Sequence, residues 1–135
     1  MVEKRYTIAV VEDDRSLAYA LVRVLCLAGF EAFSCASAEE FLAEPRRGDA
    51  DFLAVDIHLG GMSGIELQDR LEESHESRPI AFMTAFDDQQ GASERSGCVA
   101  FLHKPFPASE LLKAINRTLK CGDTAIPENR TNSQN

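Results

Sequence analysis

Tryptophan is absent from this chain, and tyrosine occurs only twice in its 135 residues. More informative is the lack of any apolar run near bilayer-spanning length, which argues against a membrane protein. The one early apolar stretch, within MVEKRYTIAVVEDD, ends at once in acidic residues and has no small-residue cleavage site behind it. It does not read as a secretory signal, so a cytoplasmic location is the expectation. The four cysteines (Cys26, Cys35, Cys98 and Cys121) are scattered, with no CxxC unit and no histidine at zinc-ligand spacing. Neither a disulfide framework nor a zinc site is expected; the cysteines read as free thiols, three of them in or near the core. Basic residues are also scarce: 14 Lys and Arg stand against 22 Asp and Glu, a formal charge of −8. Without a basic stripe, direct binding to a nucleic-acid backbone is not expected. The same acidity suits the attraction of metal ions.

What is present is an ordinary globular composition, 44% hydrophobic and 27% charged, in a length that fits one compact domain. Apolar runs at Tyr6 to Val11 and Phe52 to Val55 read as strands covered on both faces. Glu31 to Cys35, Ile80 to Met83 and Val99 to Leu102 complete a set of five. Between them, Leu17, Leu21, Val24 or Leu25, and Ala28 repeat at helical spacing and stop at Gly29. Ser37 to Glu40 matches a capping box ahead of a short helix, and Leu67 and Leu71 mark another. Pro107 suits the first turn of a last helix packed through Leu111, Leu112, Ile115 and Leu119. Such alternation predicts right-handed crossovers and a parallel sheet with helices on both faces, an α/β fold.

Two stretches break the pattern. Residues 87–96 read DDQQGASERS, with Ala92 the only apolar side chain, so the fourth helix is expected to be short or irregular and locally mobile. Residues 121–135 are polar and lack periodicity, which reads as a flexible tail following a domain at 1–120.

In a parallel α/β sheet, ligands collect beyond the carboxyl ends of the strands. Asp13, Asp56, Thr84 and Lys104 all fall at such ends. Clustered carboxylates repel one another and invite a hard, oxygen-seeking cation such as magnesium. A carboxylate can also act as a nucleophile toward phosphorus, with metal, lysine and hydroxyl stabilising the charge that develops. Against this stands the plain alternative that strand-terminal Asp and Thr residues cap helices and turns.

Taken in order, an acidic pair after strand one, an Asp ending strand three with Met-Ser-Gly close behind, a Thr ending strand four, and Lys-Pro-Phe after strand five resemble a known family. The chain looks like the receiver domain of bacterial two-component response regulators, over about residues 6–120. The resemblance implies a flavodoxin-like sheet of order 2-1-3-4-5, with Asp56 as phospho-acceptor. It implies Mg2+, or Mn2+, held by Asp13 directly, by Glu12 through water, by Asp56 and by the backbone carbonyl of His58. Asp14 falls one place beyond the pair and reads as a solvated or capping residue. Thr84 matches the switch hydroxyl, Phe101 the aromatic switch, Lys104 the phosphate-pairing lysine, and Pro105 the position that usually follows a cis bond. A core role for Phe101 stays open.

The chain also departs from that pattern. Gly60 stands where the family often has proline, and Thr84 and Lys104 are closer together than is usual. His58 and Phe86 occupy positions resembling those that tune phosphoryl lifetime, without fixing the direction. The expected function is that of a stand-alone response regulator, phosphorylated by a histidine kinase or histidine phosphotransfer protein. It would signal by docking a downstream protein or relaying the group, as a monomer or weak homodimer. It is expected to catalyse only its own phosphorylation and dephosphorylation, and so not to be an enzyme with turnover. The rivals are the N-terminal receiver of a longer transcription regulator and a pseudo-receiver that only binds. A haloacid dehalogenase-type phosphatase is disfavoured, because its strand-one DxD pattern reads EDD here.

Overall fold

The structure, a computed structural model, describes residues 5–88 and 91–120. The expected tail at 121–135, with Cys121, lies outside the described residues. Five strands run parallel: β1 (Thr7–Val11), β2 (Glu31–Cys35), β3 (Phe52–Asp56), β4 (Ile80–Thr84) and β5 (Cys98–His103). Their order in the sheet is β2-β1-β3-β4-β5. The helices are α1 (Arg15–Leu27), α2 (Ala38–Ala43), α3 (Gly64–Glu73) and α4 (Ala108–Ile115).

The continuous apolar runs explain the central strands. Every residue of β3 and β4 is buried, as a parallel strand covered on both faces requires. On one face Phe41 of α2 and Ile65, Leu67 and Leu71 of α3 pack over Val11, Leu53, Val55 and Phe82. On the other, Leu21 and Leu25 of α1 and Leu111, Ala114 and Ile115 of α4 pack over Ile8, Val10, Ala54 and Met83. Near the amino ends of the strands, Glu76 pairs with Arg47 through two hydrogen bonds of 3.2 and 3.1 Å. Arg78 donates from Nη1 to the carbonyls of Arg47 (2.6 Å) and Ala50 (3.3 Å). This clamp ties the turn before β3 to the turn before β4.

Local capping follows the sequence with small changes. Asp14 Oδ1 accepts the Leu17 amide at 3.2 Å and so caps α1. At α2, Ser37 Oγ accepts the Glu40 amide, but Glu40 returns its carboxylate to the Ala36 amide, one residue earlier than a full capping box. Pro107 is the residue just before α4 and not within its first turn. Cys26 is exposed on α1, Cys35 is buried and Cys98 half-buried. The helical stripe of α1 is carried by Ala18, Leu21 and Leu25, and position 26 falls beyond its edge.

Between β4 and β5 the described residues form a single 3-10 turn, Ala92–Glu94, in place of a helix. A segment with one apolar side chain has nothing with which to bury a helical face, and that side chain, Ala92, is fully buried. The connector is nevertheless tied down. Asp88 accepts the amides of Ala92 (2.6 Å) and Ser93 (3.0 Å) as well as the Ser93 hydroxyl. Gln68 of α3, itself buried, donates to the Ser96 carbonyl at 2.9 Å and accepts from Arg95, which also pairs with Asp69. The described part of this short crossover is thus anchored to α3 through Gln68. One cost is that β5 is only partly covered: Cys98, Val99, Ala100 and Phe101 are each half-buried.

Candidate functional site

The register of the sheet sets the site. Val11 pairs with Val55, Asp56 with Met83, and Thr84 with His103, so β1, β3 and β4 end side by side. Glu12 and Asp13 follow directly from β1, and one carboxylate oxygen from each of Glu12, Asp13 and Asp56 lies within 4.8 Å of the others. Glu12 and Asp56 are buried while Asp13 is exposed, which leaves the cluster open on one side.

Lys104 closes the other side. Its Nζ lies 2.7 Å from Glu12 Oε1 and 3.1 Å from Asp56 Oδ2. The turn that brings it there follows β5 and includes a cis Lys104–Pro105 bond, as expected. The Lys104 amide also donates to the Thr84 carbonyl at 2.7 Å. Burial pushes the Glu12 carboxyl above its ordinary value, and the charge of Asp56 adds to that; the Lys104 and Asp14 hydrogen bonds pull against it. For Lys104, burial acts to lower the pKa, but the bonds to Glu12 and Asp56 prevail and raise it. The ammonium is therefore held charged between two carboxylates that would otherwise repel each other.

The other expected residues are placed around this cluster. The His58 amide donates to Asp56 Oδ1 at 3.1 Å, which aims the carboxylate. Thr84 is buried, and its Oγ1 accepts the Phe86 amide at 3.0 Å. The rings of His58 and Phe86 are in contact beside the site. Phe101 is not gathered into it: it pairs in register with Phe82 and lies half-buried against the α2 and α3 face. Gly64 supports the floor from below, since a Cβ there would stand 2.6 Å from the Asp56 carbonyl oxygen and 2.9 Å from Val55 Cγ1. Its amide donates to the Ile57 carbonyl at 2.9 Å.

The donor set suits a hard divalent cation, because three carboxylates supply oxygen ligands at one point and no soft ligand is among them. Sequence reasoning missed Glu39, whose Oε2 accepts the Met62 amide at 2.9 Å from 23 residues away. The one signal for it was the glycine pair, Gly60 and Gly61, which leaves the loop backbone open to an outside acceptor.

A doubly covered parallel sheet of order 2-1-3-4-5, with acids, a threonine and a lysine at its carboxyl end, defines the flavodoxin-like class of phospho-receiver folds. The family model described as the response regulator receiver domain matches residues 8–116, and the chain belongs to that family. It is 31% identical over 135 residues to the response regulator protein TodT of Pseudomonas putida, covering 98% of this chain and 58% of that protein. The chain thus spans somewhat more than half the length of the curated relative it matches. A structure of the response regulator StyR shares 37% identity, with a TM-score of 0.77 over 89% of this chain and 62% of that one. The response regulator TrrA of Thermotoga maritima, in complex with Mg2+ and BeF, is alike in fold, with a TM-score of 0.74, 24% identity, and coverage of 84% of this chain and 99% of that one. Among the described residues no helix is long and apolar enough to cross a membrane.

Proposed function

We propose that the chain accepts a phosphoryl group on Asp56 from a phosphohistidine of a histidine kinase or histidine phosphotransfer protein. The observation that carries this reading is Lys104 bridging Glu12 and Asp56 inside a three-carboxylate cluster. An Asp56 carboxylate oxygen would attack phosphorus; the bond from phosphorus to the donor imidazole breaks, its electron pair stays on that nitrogen, and an acyl phosphate forms. Lys104 would shift from carboxylate pairing toward a phosphoryl oxygen, and the Thr84 hydroxyl would donate to another. The His58 amide keeps Asp56 Oδ1 oriented before transfer.

Glu12, Asp13, Asp56 and the His58 carbonyl would hold Mg2+, or Mn2+. When bound, the ion neutralises charge on the equatorial oxygens of the transferring group. No turnover of an external substrate is proposed; the chain would catalyse only the gain and loss of its own phosphoryl group. Its signal would pass to a partner protein by docking or by relay of the group, from a cytoplasmic location.

The second reading, a receiver that forms the amino-terminal part of a longer transcription regulator, is favoured by the 58% coverage of TodT. The flanking gene sequence separates it from a stand-alone receiver. The chemistry itself is tested by incubation with Mg2+ and a small phosphodonor, read by intact mass. One added phosphoryl group that disappears in Asp56→Ala is the expected result. No adduct from any donor, a candidate kinase included, would replace this reading with that of a binding-only pseudo-receiver.

A further inference from the structure

Glu39 stands in the first turn of α2, and its side chain crosses to the loop between β3 and α3. There its Oε2 accepts the Met62 amide at 2.9 Å. The same oxygen lies 2.8 Å from the point where a Cβ at Gly61 would stand, and Gly61 has φ +81°. The carboxylate thus fills the space that a side chain at 61 would need and seats against the peptide joining 61 to 62. The Met62 amide in turn holds the Glu39 carboxyl below its ordinary value.

Four further hydrogen bonds fix this loop: Ile57 amide to the Met83 carbonyl at 2.9 Å, His58 amide to Asp56 Oδ1 at 3.1 Å, Ser63 amide to Glu66 Oε1 at 2.8 Å, and Gly64 amide to the Ile57 carbonyl at 2.9 Å. The first ties the loop's start to β4, and the other three lie within the unit formed by β3, the loop and α3. Past His58, of these bonds only that of Glu39 comes from another element. Gly60, between His58 and that bond, has open space where its Cβ would be, so packing does not hold the loop there.

We propose that Glu39 is a positioning residue for the phosphorylation site: by holding the Met62 amide it fixes the loop that carries the His58 carbonyl, and so sets the affinity of the acidic cluster for Mg2+. This rests on the receiver chemistry proposed above. Reach, more than charge, is what the geometry demands, since a hydrogen-bond acceptor must arrive at the Met62 amide.

The test is a calorimetric Mg2+ titration of the whole chain as wild type, Glu39→Ala, Glu39→Asp and Glu39→Gln, with amide hydrogen exchange at Met62. Glutamine retains an acceptor at the right distance; aspartate retains charge but falls short. In Glu39→Ala and Glu39→Asp, the dissociation constant rises about fivefold and Met62 exchanges faster, the change expected when one charge-assisted hydrogen bond is lost at an exposed position. Glu39→Gln stays within about twofold of wild type, and the phosphorylation rate at saturating Mg2+ is the same in all four. A purely structural role would lower the melting temperature and leave the dissociation constant unmoved, overturning the proposal. An unchanged constant in Glu39→Ala beside a normal wild-type response does the same for Glu39 alone. No Mg2+ response in the wild type would overturn the metal site itself, and this inference with it.

Discussion

The imidazole of His58 and the ring of Phe86 meet edge to face, with centroids 4.6 Å apart and planes at 74°. They stand two residues past Asp56 and Thr84, on the tips of neighbouring strands. Phe86 is 56% exposed, so a core does not account for the contact. Edge-to-face pairs of this kind contribute about 1 kcal/mol beyond area burial, enough to favour one placement of both rings. The pair would restrict water beside an acyl phosphate on Asp56. His58→Gly and Phe86→Ala are each expected to shorten the phosphoryl half-life several-fold, and the double variant to add little more. A longer half-life in His58→Gly would instead mark the imidazole as a group that orients water, and an unchanged one would remove both roles.

Lys104 is the sole cation that bonds both Glu12 and Asp56 among the described residues. Removing one partner of a buried ion pair costs about 3–5 kcal/mol, because the remaining charge stays buried and unpaired. Lys104→Met is accordingly expected to be strongly destabilised in metal-free buffer, and to recover part of the loss when Mg2+ is added. Urea midpoints with and without Mg2+ check this; a variant as stable as wild type without metal would contradict the pairing.

Two glycines near the site should respond in opposite ways. A methyl at Gly64 would collide with the Asp56 carbonyl and Val55, both fully packed, and overpacking of that kind costs about 1–3 kcal/mol. Gly60 has open space around it and no positive φ. Gly60→Ala should be neutral or stabilising by up to about 1 kcal/mol, through the unfolded chain. Denaturation midpoints of the two variants decide the matter.

The Glu76 clamp gives a pH signature. Its hydrogen bond to Arg47, with the nearby charge of Arg78, holds the Glu76 carboxyl below its ordinary 4.5. A carboxylate with a lowered folded pKa adds stability that is present above the unfolded value and lost as pH falls through the folded one. Glu76→Gln should therefore lower the denaturation midpoint at pH 7, and the gap to wild type should close below pH 4.5. A gap that persisted undiminished into acid would assign the effect to packing and not to charge.

How far the sequence could be read depends on the range of the interaction. Apolar runs such as Phe52 to Val55 announce fully covered strands because burial on both faces leaves no polar position to confuse the pattern. Acids and lysine at strand ends were legible for a similar reason: the end of a strand is a place, and topology then brings such places together. Glu39 and Gln68 were not legible. Each acts on a backbone group 23 or more residues away, and no local periodicity reports that. The polar segment 87–96 reads as short or irregular, and among its described residues only a 3-10 turn forms; the Gln68 bond that tethers it depends on tertiary contact.

The crossover from β4 to β5 uses the thirteen residues 85–97. Joining two parallel neighbours requires the chain to travel back the full length of a strand, and about a dozen residues is near the shortest path that does so. Length at this place is thus asymmetric in its tolerance. Extra residues would lengthen a surface loop at a small entropic cost, whereas deleting a few would leave the chain too short to return and would unpair β5 from the sheet. Insertion here can supply room for a helix, whereas deletion threatens the strand that delivers Lys104.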